Sequence, residues 1–325
     1  MTQTMPNFLF SCLLDGPRRG EDLDVAAIRG WTPADGKLWL HIDVRDQPSR
    51  DWLIDESGLP DEAVDTLLAE ETRPRSHVIG DGALLVLRGV NTNPGQDPED
   101  MVSVRVWIDG DRVISSRRRR LLSVIDVHDA IRAGEGPETP GEFLAAVIER
   151  LADRIGDFVD SIEDRIDAAE DAIETESAAT TRPQLAALRR QIASVRRFLA
   201  PQRDALDRLN RHPPACLSVT DSQALREEAD RITRYLEDLD LARERAIVLQ
   251  EELLSKVAQE QNSRMYVLSI VAALFLPLTF VTGLLGMNVG GLPGLENARG
   301  FLNSVLVMGV AAVVLFVFFR WKKWL

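Results

Sequence analysis

Asn288 has the most specific side-chain chemistry in this chain. It is the last residue of an apolar run that begins near Met265 and ends with Gly286-Met287-Asn288. The side chain of Asn288 is a neutral carboxamide, which both donates and accepts hydrogen bonds. Gly290 and Gly291 follow it closely, so little bulk surrounds the amide. In a symmetric bundle of identical helices, this residue would form a ring of neutral dipoles around an axis. One pair of helices cannot enclose such an axis, so the arrangement requires an oligomer.

Two membrane-spanning helices are predicted to position this amide. They cover residues 265–288 and 301–319, and each is about 20 residues long, which is enough to cross roughly 30 Å of hydrocarbon. The external loop, 289–300, carries only Glu296 and Arg299 as charged residues. Basic residues flank the spans on the other side: Lys256, Arg264, Arg320, Lys322 and Lys323. The positive-inside rule therefore predicts that both termini, including the tail 320–325, are cytoplasmic and that the loop is periplasmic.

Small and polar side chains form a stripe along the first span. At alternating steps of three and four residues the stripe contains Asn262, Met265, Ser269, Ala272, Leu276, Thr279, Gly283 and Gly286. A heptad stripe faces other helices rather than lipid. It is consistent with close helix packing or with the lining of a pathway, and Asn288 favours the pathway. The second span is rich in Val, Leu and Phe, lacks such a stripe, and is predicted to be the lipid-facing partner.

The rest of the chain predicts an α+β cytoplasmic domain, 1–135, followed by long helices, 136–264, that continue into the C-terminal transmembrane hairpin. The first domain alternates β-rich runs with turn residues and has one helix near Ser49–Leu68, which predicts a mixed sheet covered by helices. The runs are Phe8–Leu14, Lys37–Val44, Ala83–Val90, Val102–Ile108 and Arg112–Ser116.

Helical spacing begins after Pro137 and predicts three long helices. A first helix and a second, which restarts at Arg182-Pro183, are expected to be antiparallel neighbours. The third begins at Thr220 or Asp221 and meets no glycine or proline before Pro277, which lies inside the first span. Cytoplasmic and membrane segments should therefore form one helix to about residue 288, near 100 Å at about 1.5 Å per residue.

Composition argues against several classes of function. The chain of 325 residues has a formal net charge of -13, whereas a nucleic-acid partner requires a basic surface. No phosphate-binding loop, Ser-His-Asp arrangement or dinucleotide turn is present, so we expect no enzyme, no catalytic residue and no cofactor. Cys12 and Cys216 lack metal-ligand spacing, as do the four histidines, so no fixed metal site is predicted. The histidines are His41, His77, His128 and His212.

Charge runs in the soluble part are interpreted chiefly as solvated or ion-paired helix faces. The basic run 117–120 could instead contact a lipid or a phosphate ligand. The acidic stretches 149–176 and 227–240 could concentrate cations, but interleaved arginines favour salt bridges. Those arginines are Arg154, Arg165, Arg231, Arg234 and Arg243.

The membrane segment resembles a known family. Gly286-Met287-Asn288, following Pro277-Leu278-Thr279-Phe280 at the end of the penultimate span, resembles the signature of CorA-type divalent-metal transporters. The segment 289–294, Val-Gly-Gly-Leu-Pro-Gly, is similar to the zinc-transporting ZntB branch. The resemblance covers the whole architecture. It implies a homopentamer in the bacterial cytoplasmic membrane, with first spans around a pore, second spans as an outer ring, and the long helices as a funnel.

The resemblance also implies roles for individual residues. Gly286, Met287 and Asn288 would form the selectivity filter at the outer mouth, with Glu296 in the external loop. Met265 and Leu276 match pore-facing positions; as the large apolar side chains of the stripe they could close a pore by dewetting or be ordinary packing residues. The pore-lining set would be Asn262, Met265, Ser269, Ala272, Leu276, Thr279 and Gly283.

Neither span contains His, Cys, Asp or Glu, so the expected cargo is a hydrated divalent cation read through its water shell. Zinc is the favoured ion, and magnesium, cobalt and nickel are alternatives. The expected partners are further copies of the chain, the lipid bilayer and divalent cations, with proton coupling implied by the zinc branch. A hypothesis from a different class is a membrane-anchored signalling or scaffolding protein whose hairpin is only a tether.

Overall fold

The computed structural model describes residues 5–175, 178–287 and 299–322. The chain divides into two compact units, Met1–Gln250 and Glu251–Leu325. The strands are β1 Phe8–Leu13, β2 Leu38–Asp43, β3 Arg75–Ile79, β4 Gly82–Gly89, β5 Val102–Ile108 and β6 Arg112–Arg117. The helices are α1 Val25–Gly30, α2 Gln47–Asp55, α3 Asp61–Leu68, α4 Leu122–Arg132, α5 Pro140–Thr175, α6 Ala178–Arg211, α7 Val219–Leu285 and α8 Gly300–Trp321.

The strands form one mixed sheet in the order β1-β2-β6-β5-β4-β3. Only β2 and β6 are parallel among the neighbouring pairs of this sheet, which confirms the predicted mixed sheet. The turn between β5 and β6 depends on Asp109, whose carboxylate accepts hydrogen bonds from the backbone N–H groups of Asp111 and Arg112 at 3.1 and 2.9 Å. Strand β3 was not predicted, because it is an edge strand with exposed Arg75 and His77 and therefore has no clear apolar alternation.

Successive side chains of β2 point alternately to the two faces of the sheet. Leu40 and Ile42 point to one face and contribute to a core that includes Trp52 of α2 and Leu67 of α3. Trp39 points to the other face and contacts Phe143 of α5, with ring centroids 4.7 Å apart. The sheet is thus covered by helices on both faces, so its central strands are almost fully buried.

The helix predicted near Ser49–Leu68 is two helices, α2 and α3. They are separated at Gly58, whose φ of 62° lies in the left-handed region, and at Pro60, which is the N-cap of α3. A positive φ cannot be part of a right-handed helix, and proline removes a backbone donor. The predicted helical segment is therefore present, and it is interrupted between Asp55 and Asp61.

Helices α5 and α7 are parallel neighbours within the first unit. Arg231 donates to Asp153 at 2.7 Å and Arg245 donates to Asp167 at 2.6 Å, and in both pairs the residues are 78 positions apart. Because the paired residues keep the same separation in sequence, the two helices run in the same direction and in one register.

Helix α6 runs antiparallel to α7. Arg196 donates to Asp240 at 2.8 Å, whereas the earlier residue Arg189 donates to the later residue Gln250 at 2.5 Å. Since α5 is parallel to α7, it is antiparallel to α6, which confirms the predicted hairpin. The second long helix begins at Ala178 rather than at Arg182, because a proline in the early turns of a helix is tolerated.

Candidate functional site

Two helices of the described residues are long and apolar enough to cross a membrane. Within Val219–Leu284 the most apolar window has a mean hydropathy of 2.3, and within Gly300–Trp321 it is 2.5. Helix α7 includes Pro277 without ending there, and it continues to Leu285. The helix thus contains the predicted stripe from Asn262 to Gly283. Gly286 and Met287 follow the end of the helix and precede Asn288.

The stripe lies on a face of α7 that no part of the described chain covers. Met265 is 62% exposed and Leu276 is 74% exposed. The other stripe positions that the sequence predicts to line a pore are exposed as well: Asn262, Ser269, Ala272, Thr279 and Gly283. In this membrane segment, two large apolar side chains and several small or polar ones are thus available to lipid or to another copy of the chain.

The opposite face of α7 is half-buried. Its members are Ile270, Ala273, Leu274, Pro277, Leu278 and Val281. Residues two apart on an α-helix differ in direction by about 200°, so Leu274 and Leu278 point almost directly away from Leu276. The second unit therefore has a covered face on α7 and a nearly opposite, uncovered face that carries the stripe.

Helix α8 also has one covered face, which the sequence reading missed. Its half-buried positions are Gly300, Ser304, Met308, Ala311, Ala312 and Leu315, and Phe319 is buried. These positions recur at heptad steps and include four small residues, as expected where two membrane helices approach closely. The sequence predicted no such stripe over 301–319, where the small residues of the covered face, Ser304, Ala311 and Ala312, lie among Val, Leu and Phe.

Hydroxyl groups on α7 donate their protons within the helix. Ser269 donates to the carbonyl of Met265 at 2.8 Å, and Thr279 donates to the carbonyl of Phe275 at 2.8 Å. This local bond is common for membrane helices. It uses the single hydroxyl proton, so the oxygen lone pairs are what each side chain offers to its surroundings. Such a surface accepts hydrogen bonds from the water shell of a cation.

The predicted filter is described only in part. Gly286 follows the last helical residue, and its N–H donates to the carbonyl of Thr282 at 2.9 Å. A Cβ at position 286 would lie 3.0 Å from that same carbonyl oxygen, so the close approach favours glycine. Met287 is exposed. Asn288 and Glu296 lie outside the described residues.

Charged residues of the first unit form ion pairs, as predicted from the arginines interleaved with its acidic stretches. Arg154 pairs with Asp126 at 2.6 Å and Arg231 pairs with Asp153 at 2.7 Å. In the basic run, Arg118 pairs with Glu70 at 2.9 Å and Arg119 pairs with Asp100 at 2.5 Å. These contacts account for much of the charge patterning without a ligand.

Two histidines of the sheet domain, His41 and His128, are buried in its interior. His41 is fully buried, and its Nδ1 lies 2.8 Å from the hydroxyl of Ser115. Burial, assisted by Arg117, lowers the pKa of His41 to about 3, so the ring is neutral at physiological pH. Phe10 stacks on His128 with ring centroids 4.0 Å apart. Within the described ranges, no group of three or more His, Cys, Asp and Glu side chains is placed to hold a metal ion.

Comparison with known proteins places this architecture in a family. The chain matches the family described as CorA-like Mg2+ transporter protein over residues 34–323. The divalent cation transporter CmaX of Pseudomonas aeruginosa is 44% identical over 290 residues, covering 89% of this chain and 87% of that protein. The zinc transport protein ZntB of Yersinia enterocolitica is 34% identical over 317 residues, covering 98% of this chain and 96% of that protein.

Solved structures show the same likeness. The structure of full-length CmaX matches with a TM-score of 0.84 at 39% identity and covers 100% of both chains. The CorA magnesium transporter from Methanocaldococcus jannaschii matches with a TM-score of 0.78 at 17% identity, over 89% of this chain and 92% of that one, which shows likeness of fold. Since sequence and fold agree over nearly the whole length, this chain belongs to the family of CorA-like Mg2+ transporter proteins.

Proposed function

We propose that this divalent cation transporter of the CorA-like family carries zinc through a pentameric pore lined by the stripe of α7. The observation that carries the proposal is the uncovered stripe itself. It places exposed Ser269 and Ala272 between the exposed apolar residues Met265 and Leu276, with exposed Thr279 beyond Leu276, all in an apolar membrane segment. The hydroxyl oxygens of Ser269 and Thr279 keep lone pairs that lipid would not solvate, whereas five copies around an axis would enclose them with water.

The side chains of the stripe favour passage of an ion that keeps its water. The described membrane helices contain no His, Cys, Asp or Glu along the stripe, so a dehydrated zinc ion would lose its preferred ligands. The hydroxyl oxygens of Ser269 and Thr279 accept hydrogen bonds from coordinated water instead. A ring of Asn288 amides at the outer mouth would select the ion by its water shell, and Met265 and Leu276 would close the path by dewetting.

Sequence likeness to a zinc transport protein favours zinc over magnesium. The relative named as a zinc transport protein aligns over 98% of this chain, including the loop between the spans, whereas the name of CmaX states only divalent cations. The acidic cytoplasmic unit would attract any divalent cation, so it does not discriminate among them. An ion gradient, with protons as the coupled species, would drive the transport.

Zinc uptake tests the function directly. Purified protein in sealed liposomes should accumulate zinc, measured with a fluorescent indicator inside, at a rate well above that of liposomes without protein. Imposing a proton gradient should change the rate if protons are coupled. Uptake of magnesium, cobalt or nickel without zinc would refute the proposed ion, and uptake of none of them would favour the scaffolding hypothesis.

Assembly is a separate prediction. The protein extracted in mild detergent should have the mass of about five chains of 36.2 kDa, because a closed ring of identical subunits is needed to cover the stripe. Light scattering with correction for bound detergent measures this mass. A monomer or dimer that still transports zinc would contradict the pentameric pore.

A further inference from the structure

Arg105 of β5 is a buried guanidinium without a carboxylate partner. Its side chain is 0% exposed, and its Nη2 donates to the backbone carbonyls of Ala69 and Glu70 at 2.6 and 3.3 Å. Its Nε and Nη1 have no hydrogen-bond partner in the part of the chain that the structure describes. Burial, together with the charges of Arg118 and Arg88, lowers the pKa of Arg105 to about 10. A buried charge is normally paired, because its desolvation is costly.

Arg88 of the neighbouring strand β4 adds a second cation at the same place. The register pairs Val86 with Arg105, so Arg88 and Arg105 are diagonal neighbours on one face of the sheet. The Arg88 guanidinium donates to the carbonyls of Met101 and Thr72 at 2.7 and 2.8 Å. Its Nε is buried and, among the described residues, has no acceptor. Two adjacent guanidinium groups thus retain unused donors.

Thr72 supplies a third unused group. The residue is 6% exposed, and its hydroxyl has no hydrogen-bond partner within residues 5–175, 178–287 and 299–322. Thr72 and Arg88 line a cavity of about 670 Å³, and Arg73 and Arg197 line it as well. The cavity therefore brings a buried hydroxyl and three arginines together, with Arg105 on the strand beside Arg88.

Two of the five carboxylates that line the cavity are neutralised by ion pairs. Glu70 pairs with Arg118 at 2.9 Å, Asp100 pairs with Arg119 at 2.5 Å, and Glu99 accepts a hydrogen bond from Gln191 at 3.3 Å. The other three, Glu71, Asp97 and Glu99, oppose an anion, because the neutral Gln191 amide leaves the charge of Glu99 in place. Against these three stand the three lining arginines and the buried Arg105, so positive charge exceeds negative charge by one around Thr72 and Arg88.

We propose that this cavity is a binding site for an oxyanion of the phosphate class, held by Thr72 and Arg88 with Arg105 behind them. A phosphate group has several acceptor oxygens, which match the divergent donors of guanidinium and hydroxyl groups. A single phosphate ion would fill a small part of the cavity, so the site also has room for a phosphate monoester. The site lies wholly within the first unit and does not depend on the proposed transport of zinc.

The test uses the full-length protein in detergent, exchanged into phosphate-free buffer. Inorganic phosphate should bind in calorimetry and raise the thermal unfolding midpoint above its value in sodium chloride of equal ionic strength. Thr72→Val, which keeps the shape of the side chain, and Arg88→Gln should each weaken binding at least tenfold. Arg203→Gln is the matched control, because Arg203 lies outside the cavity and pairs with Asp204 at 2.7 Å.

The outcomes separate clearly. Tighter binding of glycerol phosphate than of inorganic phosphate would identify the ligand as a monoester, and the reverse would identify the free ion. Equal stabilisation by phosphate and chloride, or unchanged phosphate affinity in folded Thr72→Val and Arg88→Gln, would overturn the proposal. Phosphate binding by a protein that fails to transport zinc would refute only the proposed transport function.

Discussion

Asn288→Leu is expected to abolish metal flux while the oligomer still assembles. The substitution keeps a similar bulk but removes both hydrogen-bonding functions of the amide, so the water shell of the ion loses its partner at the outer mouth. Hydrogen bonds to charged groups contribute about 1.5–3 kcal/mol each. Loss of two at the barrier would thus slow flux by roughly 100-fold or more. Zinc uptake into liposomes measures the rate, and light scattering measures assembly.

Asn288→Asp should slow transport for a different reason. A ring of negative charge would hold divalent ions more tightly, and conduction requires binding weak enough for the ion to leave. Asn303→Leu is the matched control for Asn288→Leu, because Asn303 is an exposed asparagine on α8 rather than on the stripe of α7. If both Asn288 variants transport zinc like the parent protein, the outer asparagine is not the filter.

Leu276→Ser should make the closed pore leak. Leu276 is the most exposed large side chain of the stripe, and a ring of leucines around a narrow path excludes water. A hydroxyl at this position would let water remain. If the hydroxyl lowers the free-energy barrier to ion passage by about 1.4 kcal/mol, the flux rises roughly tenfold. The expected result is tenfold or greater zinc or proton leak under conditions in which the parent protein is closed.

The control for this leak is Leu278→Ser. Leu278 lies two residues away on the half-buried face of α7, so its substitution should weaken packing of the hairpin without opening the path. Both variants carry the same chemical change in the same helix. A leak of equal size in the two variants would mean that Leu276 does not form a constriction.

Much of the fold was predictable because the relevant physics is local. A bilayer requires a long apolar run whatever the rest of the chain does, so both membrane helices could be identified from length and hydropathy. Heptad spacing likewise identified α5 and α6, and alternation with turn residues identified five of the strands of the described sheet. The edge strand β3 and the break between α2 and α3 were missed, since one lacks an apolar pattern and the other depends on the backbone at Gly58.

The sequence by itself determined the membrane hairpin, the stripe that begins at Asn262, and the neutral asparagine that follows it, because residue type and spacing along one helix suffice for these. Tertiary structure decided which face of α7 is covered and that α8 also carries a stripe of small residues, because coverage depends on a second helix. It also decided that Thr72 and Arg88 line one cavity and that Arg105 lies on the strand beside Arg88. Strand pairing brings these distant positions together, and no local pattern in the sequence records that pairing.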